Sequence, residues 1–397
     1  MHQKKGVPRM GELFELYSHE IDADPFPGYA KLREKAPCYW SDSAGLWILS
    51  RYEDVAKAAQ DWETFSSLRG NLIDEIPGRS GGTLGTTDPP HHDRLRSLAQ
   101  SAFTRKAVEE LAPRTEAIVD ATINLLAGMD GFDFVADFSS QVTVKTIFAL
   151  LGLPERDPAE TRHKVVLSIS TDKEARGRNP QLNEAFAELT DFLADEIAER
   201  RRRPANDLIT ALAEAEVDGE KLTDREVMLS TTMFVVAGVE SLSSFMSIFA
   251  LNLADHADSR RRIASDLSLL PQAIEESLRF NTSAQRFRRT ATKSVELHGQ
   301  LIHPGETVVL AYGSTNRDER KFPNADVFDI DRNPRGHLGF GTGKHFCIGS
   351  GFARMVTGIA VSRLLARIPD FELGSRDFDW VPSSNFRSPV SLPLVCT

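Results

Sequence analysis

One cysteine of this chain stands in a glycine-rich loop just before a helical pattern, in the stretch HLGFGTGKHFCIGSGFAR, His337 to Arg354. Gly341, Gly343 and Gly349 permit tight turns and a close approach of the backbone to a flat ligand. A helix that begins near Gly349 brings its positive end close to Cys347, which favours the thiolate. A thiolate is a good soft metal ligand, and a single one suits an axial position on haem iron. The alternative is that Cys347 is a small buried hydrophobic residue.

A second chemical feature lies inside a long apolar helical pattern, at VVAGVESLSS, Val235 to Ser244. Gly238 costs up to about 1 kcal/mol of helix stability relative to Ala, and a buried Glu240 is costlier unless it is paired or hydrated. A chain keeps such residues where function requires them. A close helix–helix contact at Gly238 is the alternative explanation.

Two pairs of charged residues are spaced to share one helix face. His92 and Arg96, in DPPHHDRLR, lie one turn apart and point the same way, so together they can bind an anion. Glu276 and Arg279, in EESLR, are three residues apart. Their spacing predicts either a supporting ion pair or an exposed pair of little energetic value.

The composition limits the class of protein. The chain has 397 residues, a formal net charge of -10 and 41% hydrophobic residues, which is enough to bury a large core. An acidic chain disfavours nucleic acid as a partner, because phosphate binding needs a basic surface. The three cysteines lie far apart and form no CxxC pair. We therefore expect no disulfide framework, no cysteine zinc site, and a reducing, cytoplasmic location.

No membrane segment is predicted. The N-terminal stretch MHQKKGVPRM lacks an apolar region, so we expect neither a signal peptide nor a membrane anchor there. The most apolar stretch, Val227 to Ala254, contains Glu240 and several serines and threonines. It therefore indicates a buried helix rather than a membrane span.

Hydrophobic periodicity predicts the elements that position these residues. Helices are predicted at Pro113–Gly128, Leu182–Arg203, Asp224–Asp255 and Gly349–Ile368. Strands are predicted within Tyr39–Leu49, Val295–Leu297 and Thr307–Leu310, and loops at Ser67–Pro90 and Asn316–Gly343. No segment has the composition of a linker. We expect a single large domain over residues 1–397, mainly α with a small β part.

The cysteine loop resembles a known signature. FGTGKHFCIG matches the haem-ligand loop of the cytochrome P450 family, Phe-Gly-x-Gly-x-His-x-Cys-x-Gly, at every fixed position. The resemblance implies the cytochrome P450 fold, haem b as cofactor, and Cys347 as the thiolate ligand of its iron in a loop at 337–349 that ends at Gly349. Phe340 is implied to pack beside the thiolate. The family usually has Ala at Gly339 and Leu at Phe352.

Other stretches are similar to soluble bacterial members of the same family, over nearly the whole chain. These are DPFPGYAKLRE, ALLGLPERD, NRDERKFPNADVFDIDR and RSPVSLPL. EESLRF fits the Glu-x-x-Arg pair that supports the haem loop, which gives Glu276 and Arg279 a structural role. By the same resemblance the haem propionates are bound by four residues, with Arg288 as an alternative for one of them: His92, Arg96, Arg289 and His337.

The long helix, at about 224–255, resembles the oxygen-activation helix of the family, whose motif is Ala-Gly-x-(Asp/Glu)-Thr. This chain keeps Ala237, Gly238 and Glu240 but has Ser241 where Thr is usual. A serine hydroxyl is held less rigidly than that of threonine. We therefore expect proton delivery with more leakage to peroxide, and a greater chance of oxidative coupling or desaturation. Ser283 stands where the family often has Pro.

The resemblance implies a monooxygenase that acts with O2 on a small or medium apolar or aromatic substrate. The pocket is predicted to include residues of the Ser67–Leu84 loop, of the long helix, and of Ala284–Phe287 and Asn385–Phe386. Six residues are singled out for it: Arg69, Phe234, Val235, Ala284, Arg286 and Phe386. Arg69 or Arg286 is a candidate partner for a substrate carboxylate. A tailoring enzyme that couples or desaturates is the first alternative, and a non-catalytic haem sensor or carrier is the second.

The chain lacks a GxGxxG after a strand, so no nicotinamide or flavin domain is predicted. Electrons are then expected from a separate ferredoxin and its NAD(P)H-dependent reductase. A basic docking face for that partner is predicted at Lys344, Arg94, Arg105 and Lys106. Ordinary solvated charge is the alternative explanation for each of these residues.

Overall fold

A computed structural model describes residues 13–100, 103–217 and 219–397 of the chain. The N-terminal stretch with no predicted signal peptide lies outside these residues. Helix accounts for 52% of the structure and strand for 11%. The prediction of a mainly α protein with a small β part is confirmed.

The described residues form fourteen α-helices. In chain order, α1 to α14 are Glu20–Ala23, Phe26–Lys35, Tyr52–Gln60, His91–Gln100, Arg105–Leu126, Ser140–Leu151, Pro158–Ile169, Pro180–Arg202, Leu208–Glu214, Asp224–Asp255, Ala257–Ser265, Leu270–Phe280, Tyr312–Thr315 and Ser350–Arg367. A π-helical turn, Phe134–Ser139, leads directly into α6.

Twelve short strands are present in the same residues. In chain order, β1 to β12 are Cys38–Ser41, Leu46–Leu49, Phe65–Ser66, Gly131–Asp133, Glu216–Val217, Glu220–Lys221, Phe287–Ala291, Val295–Leu297, Gln300–Ile302, Thr307–Leu310, Phe371–Leu373 and Pro393–Cys396. They form a five-stranded sheet of order β1-β2-β10-β7-β3, a three-stranded sheet of order β11-β12-β4, and two separate hairpins.

Helix α10 is the central element of the core. It packs against α6, α7 and α8, and it has the bounds predicted from the sequence. Its start is fixed by a capping box, in which the Thr223 amide donates to Glu226 at 2.8 Å and the Glu226 amide donates to the Thr223 hydroxyl at 3.2 Å. Because the helix is apolar on most faces, it is buried along most of its length.

The start predicted for α5 was wrong. The helix begins at Arg105 rather than at Pro113, which lies in its interior. Thr104 caps it by accepting a hydrogen bond from the Ala107 amide at 3.2 Å. Apolar residues such as Val108 and Val119 bury one face of the whole helix. That packing holds the first two turns in spite of the proline.

The five-stranded sheet joins distant parts of the chain. The stretch Tyr39–Leu49, predicted as strand, forms a hairpin whose turn contains Gly45 at φ +64°. Strand β2 pairs in parallel with β10, and β10 pairs antiparallel with β7. Since neighbouring residues of a strand point to opposite faces, β7 sends alternate side chains toward the helical part of the molecule.

Two helical stretches, Phe134–Leu151 and Asp224–Asp255, have the length and apolar composition of membrane-spanning segments. In their most apolar windows, 72% and 78% of the residues are buried inside the protein. That burial is typical of core helices.

A buried ion pair ties α1 to the segment that connects α7 and α8. The Lys173 ammonium lies 2.8 Å from the Asp22 carboxylate, and the two side chains are only 4% and 2% exposed. Burial raises the pKa of Asp22 and lowers the pKa of Lys173, and each charge opposes the shift of the other. Loss of one charge would therefore leave the other buried without compensation, which destabilises the fold.

Candidate active site

A cavity of about 330 Å³ lies between the middle of α10 and the loop that carries the cysteine. Helix α10 contributes Ala237 and Ser241 to its wall, and the loop contributes Phe340 and Cys347. The fold thus brings together two chemical motifs that are far apart in the sequence.

Backbone contacts fix the shape of the cysteine loop. The Cys347 amide donates to the Phe340 carbonyl at 3.0 Å, and the Leu338 amide donates to the Asn316 side chain at 2.6 Å. Gly343 has φ +70°, and a Cβ there would lie 2.7 Å from the Ala59 carbonyl. Glycine at this position therefore permits both the turn and the close approach to α3.

Cys347 is exposed and lines the cavity. Burial raises the pKa of the thiol, and the hydrogen bond from the Gly349 amide and the charges of Arg96 and Arg354 lower it by less. The start of α14 thus lowers the pKa of the thiol, as expected, but burial outweighs this effect. A metal cation bound at the sulfur would reverse this balance, because a coordinating thiol is deprotonated.

Behind the loop, Glu275 gathers two basic side chains. The Arg354 guanidinium donates to both carboxylate oxygens at 2.5 and 2.8 Å, and the His337 Nε2 lies 3.0 Å from one of them. Burial tends to raise the pKa of Glu275, but these two partners lower it to about 2. Arg354 also lies 4.6 Å above the ring of Phe340. This cluster supports the cysteine loop from outside the cavity.

His337, expected to bind a propionate, lies outside the lining of the cavity. Its Nε2 faces the Glu275 carboxylate and its Nδ1 accepts from the Gly339 amide at 3.1 Å. Both ring nitrogens are thus already bonded within the protein. His337 is therefore not placed to bind a propionate, contrary to the prediction.

Sequence reasoning did not select His345, which, unlike His337, lies on the cavity. It lines the cavity two residues before Cys347, and its Nε2 lies 3.1 Å from the Ser67 hydroxyl. Burial, together with the charges of Arg289, His92 and Arg96, lowers the pKa of His345 to about 2. The signal that could have found it is the fixed histidine of the loop motif itself.

Basic groups gather beside His345. Arg96 and Arg289 also line the cavity, and the ring of His92, which is fully buried, packs edge-on against that of His345 at 4.7 Å. Arg96 donates to two carbonyls of the cysteine loop, at 3.2 and 2.9 Å. Among the described residues, no carboxylate pairs with Arg96 or Arg289.

This basic cluster fits a dianionic ligand. Among the described residues, the buried Nε2 of His92 has no hydrogen-bond partner, and the side chain of Arg289 donates only to the Arg288 carbonyl, at 2.8 Å. Buried basic groups of this kind are stabilised by charge-assisted bonds to carboxylates. With Cys347 on the same cavity, the side chains present fit a haem with two propionates.

The alternation of β7 separates Arg288 from Arg289. Arg289 faces the cavity, whereas Arg288 points away and donates to the carbonyls of Ile73 and Arg69. Arg288 is therefore not equivalent to its neighbour as a propionate ligand. The sequence left Arg288 as an alternative to Arg289, and the alternation of the strand places only Arg289 on the cavity.

Gly238 serves a close helix–helix contact on the cavity wall. A Cβ added there would lie 2.4 Å from Cδ1 of Ile147 on α6. Gly238 and Ile147 both line the cavity. The residue thus allows α6 to approach α10, and it leaves the cavity open at the same point.

Glu240 lies outside the lining, on a different face of α10 from Ser241. Its carboxylate is 3.2 Å from Nε of Arg162 on α7 and accepts from the Ser244 hydroxyl at 2.9 Å. The side chain is only 1% exposed. Its charge is therefore compensated by pairing, as a buried carboxylate requires.

Glu276 and Arg279 form a buried pair rather than an exposed one. Both side chains are 0% exposed, and they are joined by two bonds of 2.7 Å. Arg332 approaches the same carboxylate at 3.2 Å. Arg279 also donates to the Asn316 carbonyl at 2.9 Å, and Asn316 binds the first part of the cysteine loop. The pair therefore holds the loop in place.

Three of the six predicted pocket residues line the cavity, namely Phe234, Ala284 and Phe386. Val235 is fully buried elsewhere in the core, because it lies one residue round the helix from Phe234. Leu72, Ile76 and Phe287, which belong to the stretches predicted for the pocket, also line it. Further apolar wall residues were not predicted; they include Leu150, Leu151, Ile169, Phe186, Met233 and Val236.

Neither candidate arginine for a substrate carboxylate is in the cavity. Arg69 is exposed on the segment 67–90. Arg286 is fully buried, donates to the Ser384 carbonyl at 2.8 Å, and lies 5.9 Å from the ring centroid of Tyr29. Arg286 stands just before β7 and is not part of the cavity wall.

Two residues of the predicted docking face have close carboxylate partners. Lys344 lies 2.8 Å from Asp93, and Arg105 lies 2.7 Å from Glu109. The surface near the cysteine loop therefore carries mixed rather than purely positive charge.

The other two residues of that face are also engaged. Lys106 is 3.9 Å from Glu110, and Arg94 donates to the Lys221 carbonyl at 3.0 Å. A partner that docks here would therefore meet paired charges.

The comparisons with known proteins agree with this site. The sequence pattern of cytochrome P450 matches residues 176–377. A putative cytochrome P450 123 of Mycobacterium tuberculosis is 33% identical over 99% of this chain and 99% of its own length. Nocardicin C N-oxygenase of Nocardia uniformis is 34% identical over 95% and 97%. The structure of CYP109E1 from Bacillus megaterium with testosterone matches at a TM-score of 0.88 and 28% identity, over 96% and 100% of the two chains.

Proposed function

Because this chain belongs to the cytochrome P450 family, whose members are haem b monooxygenases, we propose that it inserts one oxygen atom of O2 into an apolar organic molecule of small or medium size. The observation that carries the proposal is the cavity between Ser241 and Cys347, whose wall is mostly apolar. Such a wall binds an apolar body and leaves orientation to a few polar groups.

The side chains have separate roles in holding the cofactor. Cys347 would ligate the iron, and Phe340 and the Glu275 cluster would keep its loop in place. The propionates would be bound by Arg96, Arg289, His345 and His92. Bound haem supplies dioxygen activation, with a thiolate ligand that favours O–O cleavage.

Ser241 is the proposed proton donor on the cavity side. Its hydroxyl lines the cavity. The carboxylate of the preceding residue, Glu240, is paired with Arg162 and accepts a hydrogen bond from Ser244. We infer that Glu240 supplies protons to this end of α10 and that Ser241 Oγ presents them to the oxygen-binding side. The apolar wall excludes bulk water, which would otherwise supply protons without control.

Replacing Ser241 by Ala removes this hydroxyl. We expect less product and more hydrogen peroxide per NADH. The ratio of product to peroxide should fall about 10-fold or more, because a proton-transfer group is lost. The Ser241→Thr variant is the matched control, and it is expected to keep or improve the wild-type ratio. The measurement is product and peroxide formed per NADH. An unchanged ratio in Ser241→Ala would remove Ser241 from the proposed relay.

A tailoring reaction, coupling or desaturation, is the second candidate function. The serine in place of the usual threonine favours it, because a less rigid hydroxyl leaves more room for other outcomes than oxygen insertion. Relatives at this level of identity include nocardicin C N-oxygenase and cyclomarin C epoxidase of Salinispora arenicola. We propose that the substrate of this chain belongs to the same broad range of secondary metabolites.

Electrons are proposed to come from a separate ferredoxin and its NAD(P)H-dependent reductase, in the cytoplasm. Because the charge near Lys344 is mixed, we expect the affinity for ferredoxin to depend only moderately on salt concentration. If ferredoxin reduces the Lys344→Glu and Arg105→Glu variants as fast as the wild type, these two residues are excluded from the docking face.

The deciding experiment uses the haem-loaded protein with a surrogate ferredoxin and reductase. Isotope-labelled dioxygen and a panel of apolar compounds are supplied, and products are identified by mass spectrometry. Label in the product supports oxygen insertion, whereas dehydrogenated or dimeric products without label support the tailoring alternative. If the protein is reduced and binds carbon monoxide but converts none of the compounds, that result supports the sensor or carrier alternative.

A further inference from the structure

The substrate cavity has one polar corner, at Asn71 and Arg79 on the segment 67–90. Apart from the basic groups assigned to the propionates, the other polar side chains in the described wall are the hydroxyls of Ser241, Ser283 and Tyr312. Asn71 and Arg79 are therefore the only amide and guanidinium groups in that wall that lack an assigned role.

Arg79 is held in one position by its neighbours. Its Nε and Nη2 donate to the two carboxylate oxygens of Glu75 at 2.7 and 2.9 Å, and Nη2 also donates to Oδ1 of Asn71 at 2.6 Å. The side chain is 9% exposed. A bidentate pair of this kind leaves the guanidinium little freedom.

Two donors of this corner have no acceptor among the described residues. The bond from Arg79 fixes the orientation of the Asn71 amide, since Oδ1 must face the guanidinium. No described residue accepts a hydrogen bond from Nδ2 of Asn71 or from Nη1 of Arg79. Neither of these two atoms is fully buried. Because both side chains line the cavity, these donors are available to a ligand there.

The corner is continuous with the apolar wall. The Asn71 carbonyl accepts from the Arg288 amide at 2.9 Å, which places Asn71 beside Phe287 on β7. The next residue, Leu72, packs with Ile76, Phe186 and Phe386. A ligand whose apolar body fills this part of the cavity would thus meet the two donors directly.

The local charge favours an acceptor that is neutral or negative. Three guanidinium groups, those of Arg79, Arg178 and Arg288, lie within electrostatic range of two carboxylates, Asp74 and Glu75. The three guanidinium groups therefore outnumber these two carboxylates. The corner would repel a cationic group and attract an oxygen acceptor.

We propose that Asn71 Nδ2 and Arg79 Nη1 bind an oxygen acceptor, a carbonyl or carboxylate, on the substrate of this enzyme. The substrate class is then an apolar molecule with at least one such oxygen, and Asn71 and Arg79 determine this specificity. The inference rests on the proposed function, because it assumes that the cavity holds the substrate.

The test measures the shift of haem absorption on binding of three probes to the haem-loaded protein: tridecane, methyl dodecanoate and dodecanoate. We expect the two oxygenated probes to bind more tightly than tridecane. Asn71→Leu should weaken their binding about 3- to 10-fold, the value of one hydrogen bond, and leave tridecane unchanged. Arg79→Met should weaken dodecanoate about 10-fold or more, since that bond is charge-assisted.

Asn71→Asp is the sharpest variant, because it keeps the acceptor for Arg79 and replaces only the donor by a second oxygen. It should weaken dodecanoate more than the ester, through like charge. Arg69→Met, an exposed neighbour outside the cavity, is the matched control and should change nothing. Haem content and carbon monoxide binding are measured for every variant.

The outcomes separate the inference from the proposed function. Equal binding of all three probes by the wild type, or equal weakening of all three by Asn71→Leu, would overturn the polar corner and leave the proposed function intact. Loss of haem in these variants would assign the donors to the propionates instead and would also overturn the inference. Absence of any shift with any probe would overturn both.

Discussion

Gly238 illustrates, at the scale of a single residue, how packing and chemistry compete for one position. Replacing it by Ala would place a methyl group 2.4 Å from Cδ1 of Ile147. Overpacking of this kind costs about 1–3 kcal/mol, and the better helix propensity of Ala returns at most about 1 kcal/mol. We expect a net loss in the free energy of unfolding of the holoprotein, measured by denaturant titration.

The matched background is Ile147→Ala, which removes the opposing atoms. In that background Gly238→Ala should cost less than in the wild type, or should even stabilise the helix, because the two sites are in contact. Equal costs in the two backgrounds would show that the role of Gly238 is not packing against Ile147.

The sequence located residues of the site unevenly. Cys347, Arg96 and Ser241 lie on the cavity, as their motifs predicted. His337 and Arg286 do not, because the direction of a side chain depends on partners such as Glu275 and Ser384. Those partners come from other elements, and no local pattern in the sequence shows them.

At the scale of elements, α12 and α14 are joined to the cysteine loop through Glu275. The pKa of this carboxyl is lowered from 4.5 to about 2 by Arg354 and His337, against the effect of burial. A depressed pKa contributes stability that is fully present above the unfolded value of 4.5 and is lost as the pH falls toward about 2. We expect Glu275→Gln to be less stable than the wild type at neutral pH, with a difference that shrinks as the pH falls below about 4.5.

The measurement is the free energy of unfolding of both proteins at several pH values from about 6 down to about 3. Gln preserves the volume of the side chain and removes only its charge. Glu155→Gln, which changes an exposed carboxylate in the same way, is the control and should differ little from the wild type at any of these pH values. A difference for Glu275→Gln that stays constant over this range would show that the charge of Glu275 does not stabilise the contact between these elements.

Elements with strong local signals were predicted well, and those fixed by tertiary contacts were not. Helix α10 carries both a capping box and a long apolar pattern, so its bounds follow from the sequence. Helix α5 contains Pro113, a local signal for a helix start, yet packing of its apolar face extends the helix back to Arg105. Tertiary burial overrides such local preferences.

At the scale of the whole molecule, the Asp22–Lys173 pair joins residues that are 151 positions apart. Removing one partner leaves the other charged and buried, which costs about 3–5 kcal/mol. We expect that loss of unfolding free energy for Lys173→Met, measured by denaturant titration. The double variant Asp22→Asn, Lys173→Met should recover much of it, since no unpaired charge remains.

A small effect of Lys173→Met, or a double variant no more stable than the single one, would contradict the importance of this pair. The sequence could not predict it, because neither residue lies in a motif and their separation is large. The fold class, by contrast, was accessible from the sequence, since helical periodicity covers much of the chain and the family resemblance extends over nearly all of it.

The parallel pairing of β2 with β10 has a consequence for synthesis of the chain. Strand β2 ends at Leu49, and its partner begins only at Thr307. At roughly 5–20 residues per second on the ribosome, the first hairpin waits on the order of 10–50 s before its neighbour emerges. During that time the edge of β2 has unpaired backbone groups, which attract other chains. Slower translation ahead of residue 307 should therefore increase the demand for chaperones.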